Sequence, residues 1–150
     1  MNILVIDQDD DFCVEIASML CVHDVLGATT LKATEEIIKK EDLDVILIEY
    51  EMVEKNSDSW NDVLMLPARK KGIPVIFTAE SKMKSQFMKA MKFSPDWYLL
   101  KPITSAKLTD EIQKAVNKKT KELYSVKNQM AKEEEKRVDD INQILAEMGF

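Results

Sequence analysis

Ile3-Leu4-Val5-Ile6-Asp7-Gln8-Asp9 is a four-residue apolar run that stops at once in polar and acidic residues. A strand covered on both faces needs such an uninterrupted run, so a parallel sheet is expected. The pattern recurs three times. Val45-Ile46-Leu47-Ile48 ends at Glu49 with Glu51 beyond it, Ile73-Pro74-Val75-Ile76-Phe77 runs into Thr78, and Trp97-Tyr98-Leu99-Leu100 closes at Lys101-Pro102. Val25-Leu26-Gly27-Ala28 is a weaker strand that follows the first.

Helical patterns separate these runs. Phe12, Ile16, Met19 and Leu20 recur at helical spacing behind an acidic start, which suits the helix dipole. Thr34 to Lys40 reads as a short helix, opened by Thr34 or Thr30, with Ile37 and Ile38 turned inward. A polar segment from Glu54 to Ser59 leads into a helix from Trp60 to about Lys70, which Pro67 should end or kink. Another helix is expected around Lys82 to Met91. This alternation predicts an α/β domain with a five-stranded, parallel, doubly wound sheet of flavodoxin-like order 2-1-3-4-5. Ligands of such sheets bind outside the carboxyl ends of the strands. The acidic pocket Asp7, Gln8 and Asp9, with Glu49, Thr78 and Lys101, should therefore converge on one crevice.

With 150 residues there is room for one domain and a helical appendage, but not for two full domains. Residues 1–118 are expected to form the domain and residues 119–150 a helical extension. Only 3 Gly and 4 Pro in a chain 45% apolar and 32% charged exclude a disordered or collagen-like polymer. The net charge of −6 arises in the first 104 residues, a poor electrostatic match for nucleic acid, so none is expected as a partner. No apolar run approaches a membrane span and the amino terminus lacks a basic signal region, so no membrane role and a cytoplasmic location are expected. Cys13 and Cys21 read as two small buried residues of one helix. His23, the only histidine, makes no nucleophilic pair worth pursuing.

Carboxylates facing a lysine and a hydroxyl can hold a divalent cation and a phosphoryl group. On these residues the chain resembles the receiver domain of two-component response regulators over roughly residues 1–120. The likeness is carried by the Ile3–Asp9 segment, Asp44-Val45-Ile46-Leu47-Ile48-Glu49, Pro74-Val75-Ile76-Phe77-Thr78-Ala79 and Tyr98-Leu99-Leu100-Lys101-Pro102. The resemblance implies a phosphoryl group received from a histidine kinase on an aspartate after the third strand, assisted by Mg²⁺. It puts Glu49 at the phosphoacceptor position, Thr78 and Lys101 at the phosphoryl-contact positions, and Tyr98 at the aromatic switch position.

The departures fall on the chemistry. Glu49 is one methylene longer than the family's aspartate, Gln8 is an amide where a metal-binding acid is usual, and Val53 replaces a proline. Glu49 is expected to reach Lys101, each favouring the other's charged form, or simply to tie two loops together as an ion pair. Mg²⁺ binding should be weak, with Asp7, Asp9 and Glu49 as the weak metal candidates and no cofactor expected. Asp10 and Asp11 should only cap and solvate the first helix. The expectation is a pseudo-receiver, not an enzyme and without catalytic residues, that acts by protein interaction; the alternative is a stand-alone regulator that does accept phosphate.

In the extension, Leu108, Ile112 and Ala115 or Val116 should pack on the sheet, and Leu123, Val126 and Met130 continue at helical spacing. A charged stretch, Lys132 to Arg137, interrupts before Val138, Ile141, Leu145 and Met148 resume. Either one helix with a stutter or two helices would fit. The partners expected are a histidine kinase or a downstream signalling protein, and a second copy of the chain through this helix.

Overall fold

The computed structural model describes residues 1–80 and 89–149. Five parallel strands, β1 (Asn2–Ile6), β2 (Asp24–Ala28), β3 (Val45–Glu49), β4 (Val75–Glu80) and β5 (Trp97–Lys101), form one sheet of order β2-β1-β3-β4-β5. This is the flavodoxin-like order expected from the alternation of elements. Side chains alternate between the two faces, so each apolar run feeds two cores at once. Leu4, Ile6, Ile46, Ile48, Val75 and Phe77 pack on one side, against α2 (Leu31–Lys40), α3 (Tyr50–Lys55), α4 (Ser57–Trp60) and α5 (Leu66–Lys71). Ile3, Val5, Val45, Leu47, Ile76 and Leu99 pack on the other, against α1 (Asp10–Met19) and the first turns of α6 (Ser105–Glu147).

Local chemistry sets the ends of these elements. Asp9 is the N-cap of α1, its Oδ1 accepting the Asp11 N–H at 3.0 Å, while Asp10 and Asp11 occupy the first turn. Thr30 caps α2 by accepting the Ala33 N–H, and Thr34 lies inside the helix with its hydroxyl on the Thr30 carbonyl. Gly27 lets α1 approach β2 closely, since a Cβ there would stand 3.3 Å from the Cβ of Cys13.

The segment after β3 differs from the expected polar link. It turns directly into α3 and α4, because Tyr50, Met52, Val53 and Trp60 have apolar surface to bury against the sheet. Nor does Pro67 end its helix. A π-helical turn, Asn61–Met65, runs directly into α5, and Pro67 falls in the first turn of that segment. α5 stops at Gly72, whose φ of 70° places it in the left-handed region that glycine favours. Cys13 is buried as expected, but Cys21 lies beyond α1 and is exposed. The helix expected around Lys82 to Met91 lies largely outside the described residues; Lys89 and Ala90 are helical and Met91–Phe93 form a 3₁₀ turn.

Two compact units are present, Met1–Lys119 and Thr120–Phe150. In the first, Leu108, Ile112 and Ala115 are buried and Val116 is partly so. Asp96 joins the start of β5 to its surroundings by accepting the Val75 N–H at 2.8 Å and pairing with Lys119 at 3.2 Å. The Trp97 indole N–H donates to Glu111. In the second unit the described residues are helical as far as Glu147 and exposed throughout, so the charged stretch Lys132 to Arg137 does not break the helix. No helix among the described residues is long and apolar enough to cross a membrane.

Candidate functional site

The carboxyl ends of β1, β3, β4 and β5 bring the expected residues to one end of the sheet. Asp7 follows β1 and is only 1% exposed. Its Oδ1 accepts the Asp9 N–H at 2.9 Å, and its Oδ2 accepts from Lys101 Nζ at 2.7 Å. Lys101 comes from the last position of β5, before a cis bond to Pro102, and its Nζ also stands 4.1 Å from the centre of the Phe12 ring. An ammonium against a carboxylate and over an aromatic face is stabilised from two sides.

Glu49 ends β3 and is partly buried. Its Oε2 accepts the Gln8 N–H at 3.2 Å. The expected Glu49–Lys101 ion pair is not formed among the described residues; Lys101 pairs with Asp7 instead. Asp7 is the more deeply buried carboxylate and loses more if left unpaired, so it takes the cation. The consequence for Glu49 is the reverse of the expectation. Burial pushes its carboxyl up from the ordinary 4.5 to about 7, helped by a hydrogen bond to Asp7 and by the negative charge there. The Gln8 N–H and the Lys101 charge oppose this and lose. Near neutral pH, Glu49 is therefore protonated about half the time instead of standing wholly as an anion.

Thr78 pairs in register with Glu49 and is 1% exposed. Its hydroxyl has no hydrogen-bond partner among the described residues. Tyr98 packs edge-on to Phe77 with centroids 6.1 Å apart, and Phe77 lies 5.6 Å from Tyr50. Tyr98 thus belongs to an aromatic group under the crevice, and burial pushes its phenol up. Val53, at the position where the family has proline, is fully buried in α3.

Gln8 is exposed and meets Glu49 through its backbone. Asp9, counted as a weak metal candidate, is engaged at the N-cap of α1. Asp7 Oδ2 is held by Lys101, Asp9 Oδ1 by the Asp11 N–H and Glu49 Oε2 by the Gln8 N–H, so few of these carboxylate oxygens are left unengaged for the several hard ligands that Mg²⁺ prefers. No cluster of three or more acidic, His or Cys side chains among the described residues is arranged to hold a metal. The donor set does not fit Mg²⁺. Beside it lies a cleft of about 270 Å³, bordered by Phe12, Glu15, Met19, Glu80 and Lys101. Sequence reasoning did not foresee the part played by Phe12; its place in the first turn after the acids was the available signal.

No protein-family model matches the chain, and no curated protein matches it. Among solved structures it is similar to a response regulator receiver domain protein from Clostridium thermocellum, with 25% identity over 79% of this chain and 96% of that one and a TM-score of 0.63. It is also similar to a CheY-like receiver domain protein from Methanospirillum hungatei (18% identity, 81% and 97% covered, TM-score 0.65). A two-component response regulator from Clostridium difficile gives 18% identity, 78% and 96% coverage and a TM-score of 0.64. The structural neighbours are thus response-regulator receiver domains, and they extend over about four fifths of the chain.

Proposed function

We propose that this chain is a receiver-like signalling module that works through protein contacts without taking up a phosphoryl group, and that it is not an enzyme. The observation behind this reading is that the crevice balances its own charge. Lys101 is held on Asp7, and burial raises the Glu49 carboxyl to about 7, so that it is mostly protonated below neutral pH and about half so at pH 7. A lysine engaged at 2.7 Å is not free for an incoming phosphoryl oxygen, and a carboxyl protonated about half the time at neutral pH is a weakened nucleophile. Relation to receiver domains supports a place in two-component signal transduction, with a histidine kinase or a downstream signalling protein as partner. The C-terminal helix provides a second contact surface, for another copy of the chain. Neither nucleic acid nor membrane is a partner in this reading, and its setting is the cytoplasm.

One observation favours the alternative, a stand-alone regulator that accepts phosphate. The buried Thr78 hydroxyl is unpartnered at the point where a phosphoryl oxygen would lie beside Glu49. Incubation with acetyl phosphate and Mg²⁺ followed by intact mass separates the two. The proposal expects an unchanged mass; a stoichiometric gain of one phosphoryl group would overturn it.

A further inference from the structure

On the helix of the second unit, Leu123, Val126, Met130, Glu134, Arg137, Ile141, Leu145 and Met148 are spaced 3-4-4-3-4-4-3. At about 100° per residue these eight side chains lie within an arc of about 100° on one face. The six apolar ones are all exposed, from 43% at Leu123 to 65% at Met148. The spacing repeats every 11 residues, close enough to the helical period for the face to run nearly straight. Two of the eight are charged, Glu134 and Arg137, which have no ion-pair partner among the described residues, and Lys127 and Ile144 lie at the edges of the same arc.

The order is palindromic in spacing and complementary in charge. Turned end for end about the midpoint between Glu135 and Lys136, the stripe falls on itself. Leu123 then meets Met148, Val126 meets Leu145, Met130 meets Ile141, and Glu134 meets Arg137. A parallel pair in register would instead set Glu134 against Glu134 and Arg137 against Arg137 within the apolar seam, which opposes pairing.

We propose that this helix pairs antiparallel with the same helix of a second copy, about the midpoint between Glu135 and Lys136, with two reciprocal Glu134–Arg137 contacts at its centre. The register rests on the reading that the helix contacts another copy of the chain. Each half of the stripe supplies the apolar surface that the other half needs. The two charges select orientation and alignment, because any other alignment leaves one of them against an apolar or like-charged neighbour.

Sedimentation equilibrium of the full chain and its variants tests both levels. A dimer is expected. Glu134→Arg or Arg137→Glu alone should weaken it roughly tenfold, and the double reversal should restore it. In a Cys21→Ser background, Val126→Cys with Leu145→Cys should oxidise to a covalent dimer, whereas Val126→Cys alone should not. A monomer at the highest attainable concentration would overturn self-pairing altogether. A dimer that Val126→Cys alone cross-links, or that ignores both charge reversals, would overturn the antiparallel register while leaving self-pairing in place.

Discussion

Lys101 Nζ lies 2.7 Å from Asp7 Oδ2, with the two side chains 15% and 1% exposed, so the pair joining β5 to β1 is almost wholly withdrawn from water. A pair buried to this degree is costly to break on one side, because the remaining charge loses its partner without regaining solvent. It also decides the state of the third titratable group in the crevice. With the cation on Asp7, Glu49 faces a buried carboxylate and its own carboxyl is raised to about 7.

Lys101→Met should destabilise the protein by roughly 3 kcal/mol, since Asp7 stays buried without its cation. Asp7→Asn in the same chain should recover most of that loss. Urea denaturation of the single and double variants measures both. Equal stability of Lys101→Met and wild type would mean that the pair contributes nothing.

The raised Glu49 carboxyl makes stability depend on pH with a definite sign. Between 4.5 and about 7 the folded state holds a proton on this group that the unfolded state has released. Its contribution is therefore full below pH 4.5, falls as pH rises, and is lost above about 7. Because Glu49 is only partly buried, the swing is discounted for solvent screening to about 2 kcal/mol. Denaturation at pH 5 and pH 8 should show wild type gaining on Glu49→Gln by that amount at the lower pH. No difference between the two slopes would refute the shift.

Thr78→Val replaces a buried hydroxyl that has no partner among the described residues with a methyl group of similar shape. Relieving that unsatisfied group should raise stability by about 1 kcal/mol. The thermal midpoint should rise accordingly, and a fall would show that the hydroxyl is satisfied after all.

Gln8→Asp with Glu49→Asp adds a hard anionic ligand at the exposed position after Asp7 and draws the third carboxylate back by one methylene. Titration calorimetry should find Mg²⁺ binding roughly tenfold or more tighter than in wild type. The double variant should also acquire Mg²⁺-dependent, hydroxylamine-labile labelling by acetyl phosphate. Without metal it should be less stable, since the added charge sits beside Asp7.

The apolar runs Ile3–Ile6 and Val45–Ile48 carried the sheet, its strand order and the end at which the crevice lies, because burial on both faces and right-handed crossovers leave few other arrangements. The convergence of Asp7, Glu49, Thr78 and Lys101 followed from the same rule. Which carboxylate takes the lysine was not legible in the chain. Asp7 and Glu49 are both acids after strands, and only their unequal burial in the packed structure assigns the cation to one and a proton to the other. Phe12 could not be placed under Lys101 from sequence, since the two meet across 89 positions only when α1 packs beside β5's end. The helices after β3 were hidden for a related reason. Glu54 to Ser59 looks polar residue by residue, and it folds as the end of α3 and the start of α4, parted at Asn56, because Tyr50, Val53 and Trp60 on either side have a core to enter. Local pattern thus determined which segments are buried and in what order. The tertiary structure alone decided the pairing of charges, because that depends on how much water each group loses.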